Sequence, residues 1–104
     1  IYPTFTYADD PSRFVSVEAA QAPFKATVND YGKRLWTIVE GEAGAPWFLG
    51  ERFSAIDLFI GVMRHWRPNP DWFAAHAPKL TAIALKAPAL KPLEGFWQRN
   101  FPEA

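Results

Sequence analysis

The stretch that most restricts this chain is "FSAIDLFIGVM", residues 53–63, where Asp57 stands three positions after Ser54 inside a run that is otherwise apolar. A helix interior normally avoids a carboxylate, so the acid needs a structural or chemical reason. With Ser54 at the N-cap, Asp57 is the third helical residue, the position of the acid in a capping box. The Ser54 hydroxyl then accepts from the Asp57 N–H, while the Asp57 carboxylate accepts from the Ser54 N–H. Phe53 and Leu58 occupy the two positions that form a hydrophobic staple around such a cap. The negative charge also sits beside the positive end of the helix dipole. A catalytic carboxylate would want a second titratable group nearby, and the sequence suggests none. Asp57 therefore reads as a cap, and its helix, apolar nearly all round, is expected to be the most buried rod of the fold.

The rest of the chain follows helical periodicity. Residues 1–7 read as the end of a helix, with Pro3 kinking it or sitting in its first turn. "YADDPSR" reads as a loop, because Asp-Asp-Pro favours a turn. From Ser16 a long helix is predicted, with Phe24, Val28, Tyr31, Leu35, Ile38 and Val39 on one face. Lys25, Asn29, Lys33, Arg34 and Glu40 fall off that face. Pro23 should begin or bend this helix, and the Gly41–Gly44 region should end it. "APWFLGERF" is a turn segment leading into the capped helix, which "RPNP" stops through Pro68 and Pro70. Residues 71–87 predict another helix with Trp72, Phe73, Leu80, Ile83 and Ala84 inside, interrupted or restarted at Pro78. Pro88 and Pro92 punctuate a last short stretch ending near Phe96 and Trp97. No alternating strand pattern persists, so the fold class is all-α, a bundle of about five helices.

Composition excludes several functions. The 104 residues are 49% hydrophobic, enough for one core. Eleven basic and eleven acidic side chains cancel, so no nucleic-acid partner is indicated. Lys79, Lys86, Lys91 and Arg99 are spread over the last helices and read as a solvated face. Without cysteine, disulfides, thiolate metal sites and cysteine nucleophiles are excluded within the chain, an absence that fits a reducing compartment without establishing one. His65 and His76 have no common zinc spacing, so no metal is expected. The longest strongly apolar run, "LFIGVM", is too short to span a bilayer, and no membrane partner is expected. The chain opens on the apolar "IYPTF" with no capping residue ahead of it, and so reads as a piece of a longer protein.

"FLGERFSAIDLFIGVM" resembles the segment entering the central helix of the C-terminal domain of cytosolic glutathione transferases. That family has a Phe/Tyr-Leu pair, a glycine, an apolar residue followed by Ser or Thr, and an acid three positions on. This sequence has one residue fewer between Leu49 and Gly50. "P-x-L" at Pro78–Leu80, "A-P-A-L" at Ala87–Leu90 and the opening with "DDPSRF" are similar to bacterial, beta-like members. The resemblance implies that residues 1–104 are the helical C-terminal domain, with the thioredoxin-like N-terminal domain absent from this chain. Glutathione would be a co-substrate, bound mainly by that missing domain, whose Ser, Tyr or Cys activates the thiol. No catalytic residue and no cofactor would lie here, and the fragment alone would be inactive.

By the same resemblance this domain supplies the wall for a small apolar electrophile and much of a homodimer surface in a detoxifying transferase. Tyr2 matches a position often held by histidine in those members, and Phe5 an aromatic one turn on. Tyr2, Phe5 and Thr6 share a helical face, and His65 and Trp66 lie where an aromatic group approaches the substrate. The expected substrate-binding set is thus Tyr2, Phe5, Thr6, His65 and Trp66, a mixed aromatic pocket with the Tyr2 hydroxyl as its polar handle. Each also has a plainer reading. Tyr2, Phe5 and Trp66 suit core or dimer packing, and His65 suits a cation at a helix C-terminus. Glutathione-transferase-like domains also serve as non-catalytic interaction modules in translation-factor and stress proteins, which is the alternative function.

Overall fold

The computed structural model describes residues 1–90 and 94–101. Lys91 and Pro92, to which the sequence reading gave a solvated charge and a helix break, lie outside those residues. The architecture is all-helical: α1 (Tyr2–Asp9), a 3-10 turn (Pro11–Arg13), α2 (Glu18–Glu42), α3 (Ala55–Met63), α4 (Pro70–His76), α5 (Pro78–Lys86), a second 3-10 turn (Ala87–Ala89) and α6 (Glu94–Asn100). Among the described residues there are six α-helices where about five were expected, because the predicted 71–87 helix is two. Pro78 lacks the N–H that would continue α4, and it sits in the first turn of α5 instead. Pro3 and Pro70 likewise sit in first turns, of α1 and α4. Among the described residues, Pro23 alone lies beyond the first turn of an α-helix, in the second turn of α2.

Caps are drawn from across the chain. Asn69 Oδ1 accepts the Trp72 N–H at 2.8 Å and starts α4 locally. α5 has only Ala77 at its N-cap position, and its orphan donors go to a remote acid. Glu40, near the end of α2, accepts the Lys79 N–H at 3.1 Å and the Leu80 N–H at 2.9 Å. This one side chain ties α2 to the start of α5, satisfying donors that would otherwise face a partly buried interface.

The capping box at α3 is in place. Asp57 is fully buried, and its Oδ2 accepts the Ser54 N–H at 2.8 Å. The Ser54 side chain accepts the Asp57 N–H in return, and its hydroxyl also lies 3.5 Å from the same carboxylate oxygen. The other oxygen reaches further than a capping box requires, accepting the Phe48 N–H at 2.8 Å. That bond secures a tight turn in which Trp47 and Gly50 exchange N–H···O bonds of 2.9 and 3.0 Å. Gly50 there has φ +109°, a conformation open to glycine. Phe53, expected to clasp Leu58, lies edge-on to Trp47 with ring centroids 5.1 Å apart.

The core does not run along α3, contrary to expectation. The largest fully buried apolar side chains are Trp36 of α2, Phe73 of α4, and Leu80 and Ile83 of α5. Trp36 and Phe73 meet edge to face at 5.0 Å. α3 buries Asp57, Ile60 and Gly61 but leaves Phe59 58% and Ile56 40% exposed. An apolar helix contributes to a core only on the faces its neighbours cover, and one face of α3 has no neighbour among the described residues. The predicted inner face of α2 is also rotated. Gly32 and Trp36 are buried, Ala43 just past the helix end belongs to the core and Val39 packs against it, whereas Tyr31 and Ile38 are largely exposed. Several spacings of apolar residues fit a 25-residue helix, and the close approach of α1 selects among them: a Cβ on Gly32 would meet Thr4 Oγ1 at 3.3 Å.

α6 closes the far end of α3. Trp97 is buried, and its ring occupies the space a side chain at Gly61 would need, with Cη2 2.8 Å from such a Cβ. No helix among the described residues is long and apolar enough to cross a membrane.

Candidate ligand cleft

α1 is held by its inner face. Thr4, Phe5 and Ala8 are buried against α2 and the core, and the Thr4 hydroxyl donates to the Ile1 carbonyl at 2.6 Å. Tyr2, Thr6 and Asp9 therefore point toward solvent. The chain leaving α3 turns back toward them through His65 N–H to Val62 O and Trp66 N–H to Met63 O, at 3.1 and 3.0 Å. Trp66 and Arg67 are thereby carried to α1. The result is an open cavity of about 500 Å³ lined by Tyr2, Phe5, Thr6, Asp9, Trp66 and Arg67, a volume typical of small-molecule sites.

One wall is aromatic. Tyr2, Phe5 and Trp66 meet edge to face, with centroids 5.7 Å apart for Tyr2–Phe5 and Phe5–Trp66 and 6.4 Å for Tyr2–Trp66. Phe5 is buried at the base, while Tyr2 and Trp66 remain 61% and 46% exposed. The polar wall is an ion pair that bridges α1 to the turn after α3. Arg67 donates from Nε and Nη2 to Asp9 Oδ1, at 2.9 and 2.6 Å.

Of the five residues expected at a substrate site, the structure brings Tyr2, Phe5, Thr6 and Trp66 to this one cavity. His65 is not among its lining residues. Its ring stacks on Phe101 with centroids 4.0 Å apart and lies 6.3 Å from Trp97. Burial, and then the neighbouring Arg64 charge, lower its pKa below the ordinary 6.5. Both causes weigh against the charged imidazole that a position near a helix C-terminus would otherwise favour. Asp9 and Arg67 were not among the site residues expected from the sequence, which read them only as parts of a loop and of the helix stop. They are 58 positions apart, and an acid beside a loop and an arginine before a proline each look like ordinary surface residues.

No protein-family model matches the chain, and no solved structure matches it. A protein of Escherichia coli (strain K12) described as an uncharacterized GST-like protein, YncG, is 35% identical to it over 103 residues, 96% of this chain. The chain spans about half of that relative, 48% of its length. The helical fold and this similarity together support a GST-like helical domain.

Proposed function

We propose that this chain is the C-terminal helical domain of a glutathione transferase and that the cleft between α1 and the turn after α3 forms its electrophile site. The similarity to a GST-like protein of about twice the length carries this reading. The aromatic cleft supports it by supplying a place for a flat apolar substrate. A preceding thioredoxin-like domain binds glutathione and lowers the pKa of its thiol, so that a thiolate is present near neutral pH. The sulfur attacks the electrophilic carbon, an S–C bond forms, and the leaving group departs with its electron pair. This domain contributes position and exclusion of water: Phe5 forms the floor, Tyr2 and Trp66 the walls, and Thr6 and the Tyr2 hydroxyl the polar contacts. The exposed Phe59 and Ile56 on α3 suit burial against that other domain. The protein acts as a homodimer in the cytoplasm.

The test uses the full-length protein containing this chain: retention on immobilised glutathione, then turnover of 1-chloro-2,4-dinitrobenzene. Retention and turnover are expected, with Tyr2→Phe altering kinetics across several electrophiles. Unchanged kinetics in that variant would remove Tyr2 from the site. Absence of both retention and turnover would replace the enzyme with an interaction module of the same fold.

A further inference from the structure

We propose that the cleft selects aromatic ligands bearing an anionic substituent, with Arg67 as the anchor and Asp9 as an internal stand-in for that substituent. The inference rests on reading this cleft as the electrophile site and goes on to assign its substrate class. The geometry separates the two halves of such a ligand. Tyr2 and Trp66 offer exposed ring surface over a buried Phe5, a wall for a flat hydrocarbon body. Arg67 closes the other side.

The two members of the ion pair differ in how firmly they are held. The Arg67 side chain is 26% exposed, and the residue also lines the seam of Phe5, Trp36 and Pro68, so it is packed against the core. The Asp9 side chain is 66% exposed. It occupies the last position of α1, next to Asp10, where both the helix dipole and a like charge disfavour an anion. The carboxylate also uses the guanidinium incompletely, because Nε and Nη2 converge on Oδ1 while Oδ2 takes no bond from either. A planar guanidinium binds a carboxylate best through two parallel bonds to two oxygens. An incoming ligand anion can take that bidentate geometry under the cover of its own ring, which excludes water and strengthens the attraction. Asp9 meanwhile rotates into solvent, and since exposed pairs contribute little stability, its release is easy.

The test is isothermal titration of the full-length protein with 1-naphthoate and its neutral counterpart 1-naphthamide. Naphthoate is expected to bind about tenfold tighter. Arg67→Gln should abolish that preference while leaving naphthamide within about twofold, and Asp9→Asn should tighten naphthoate several-fold by freeing the arginine. Equal binding of the two ligands, stronger naphthamide binding, or no binding of either overturns the proposal. A loss of both ligands alike in Arg67→Gln does so too, unless that variant is unfolded by circular dichroism, in which case the wild-type comparison and Asp9→Asn decide. Conjugation of 1-chloro-2,4-dinitrobenzene by the same preparation separates the two ideas. Turnover without charge discrimination sinks the anchor alone, whereas discrimination without turnover supports the anchor and sinks the transferase reading.

Discussion

Replacing Asp57 by alanine should destabilise the domain well beyond the loss of an ordinary helix cap. The carboxylate is fully buried and holds two backbone donors, Phe48 N–H and Ser54 N–H, each at 2.8 Å. An exposed cap contributes about 0.5–2 kcal/mol. Here two partly buried donors lose their acceptors together, at about 1–3 kcal/mol each. Residues 48 and 54 keep some exposure, so water recovers part of that, and a loss of about 2–4 kcal/mol is expected. Asp57→Asn keeps the volume and one acceptor oxygen, and should lose about half as much. With a urea slope of about 1–2 kcal/mol per molar, Asp57→Ala should lower the unfolding midpoint by roughly 1–4 M. Amide exchange should accelerate at Phe48 and Ser54 in the same variant, because the 47–50 turn loses its tether. A midpoint within about 0.3 M of wild type at unchanged slope would refute the reasoning, showing that water or the Ser54 hydroxyl satisfies those donors.

Three further outcomes follow from the same geometry. Gly61→Ala places a methyl group 2.8 Å from the Trp97 ring, so despite alanine's better helix propensity it should destabilise by about 1–3 kcal/mol and red-shift tryptophan emission; a stabilised variant would contradict the tight seat of α6. Glu40→Ala uncaps α5 and should cost about 0.5–2 kcal/mol, with faster exchange at the Lys79 and Leu80 amides as the specific readout. His65 has a folded-state pKa lowered from 6.5 by burial and Arg64, so the unfolded chain binds its proton more readily. Its stabilising contribution is complete above pH 6.5 and is lost as pH falls through the lower folded value. His65→Gln should flatten that acid limb in urea titrations at successive pH values, and an identical limb in the variant would exclude His65.

Local chemistry made much of the framework legible. Ser54 and Asp57 marked the start of α3 because a cap is a four-residue event, and Pro68, Pro70 and Pro78 marked breaks because a missing N–H cannot continue a helix. Pro23, by contrast, lies within α2, which begins five residues before it. The apolar residues of α4 and α5 identified Phe73, Leu80, Ile83 and Ala84 because those short helices present one continuous face. Periodicity did not identify the buried side of α2, where several faces carry apolar residues, and it overstated the burial of α3. Burial depends on which neighbour arrives, and a helix does not carry that information in its own sequence.

The same division holds at the cleft. By itself, the sequence determined that Tyr2, Phe5 and Thr6 share one helical face and that Trp66 follows the apolar helix, since both statements concern neighbours along the chain. Only the tertiary structure decided that these residues enclose one cavity, that His65 turns away to stack on Phe101, and that Asp9 meets Arg67. Those pairings join segments about sixty positions apart in the cleft. They exist because Thr4 against Gly32 and Phe5 in the core fix α1 where the chain leaving α3 returns.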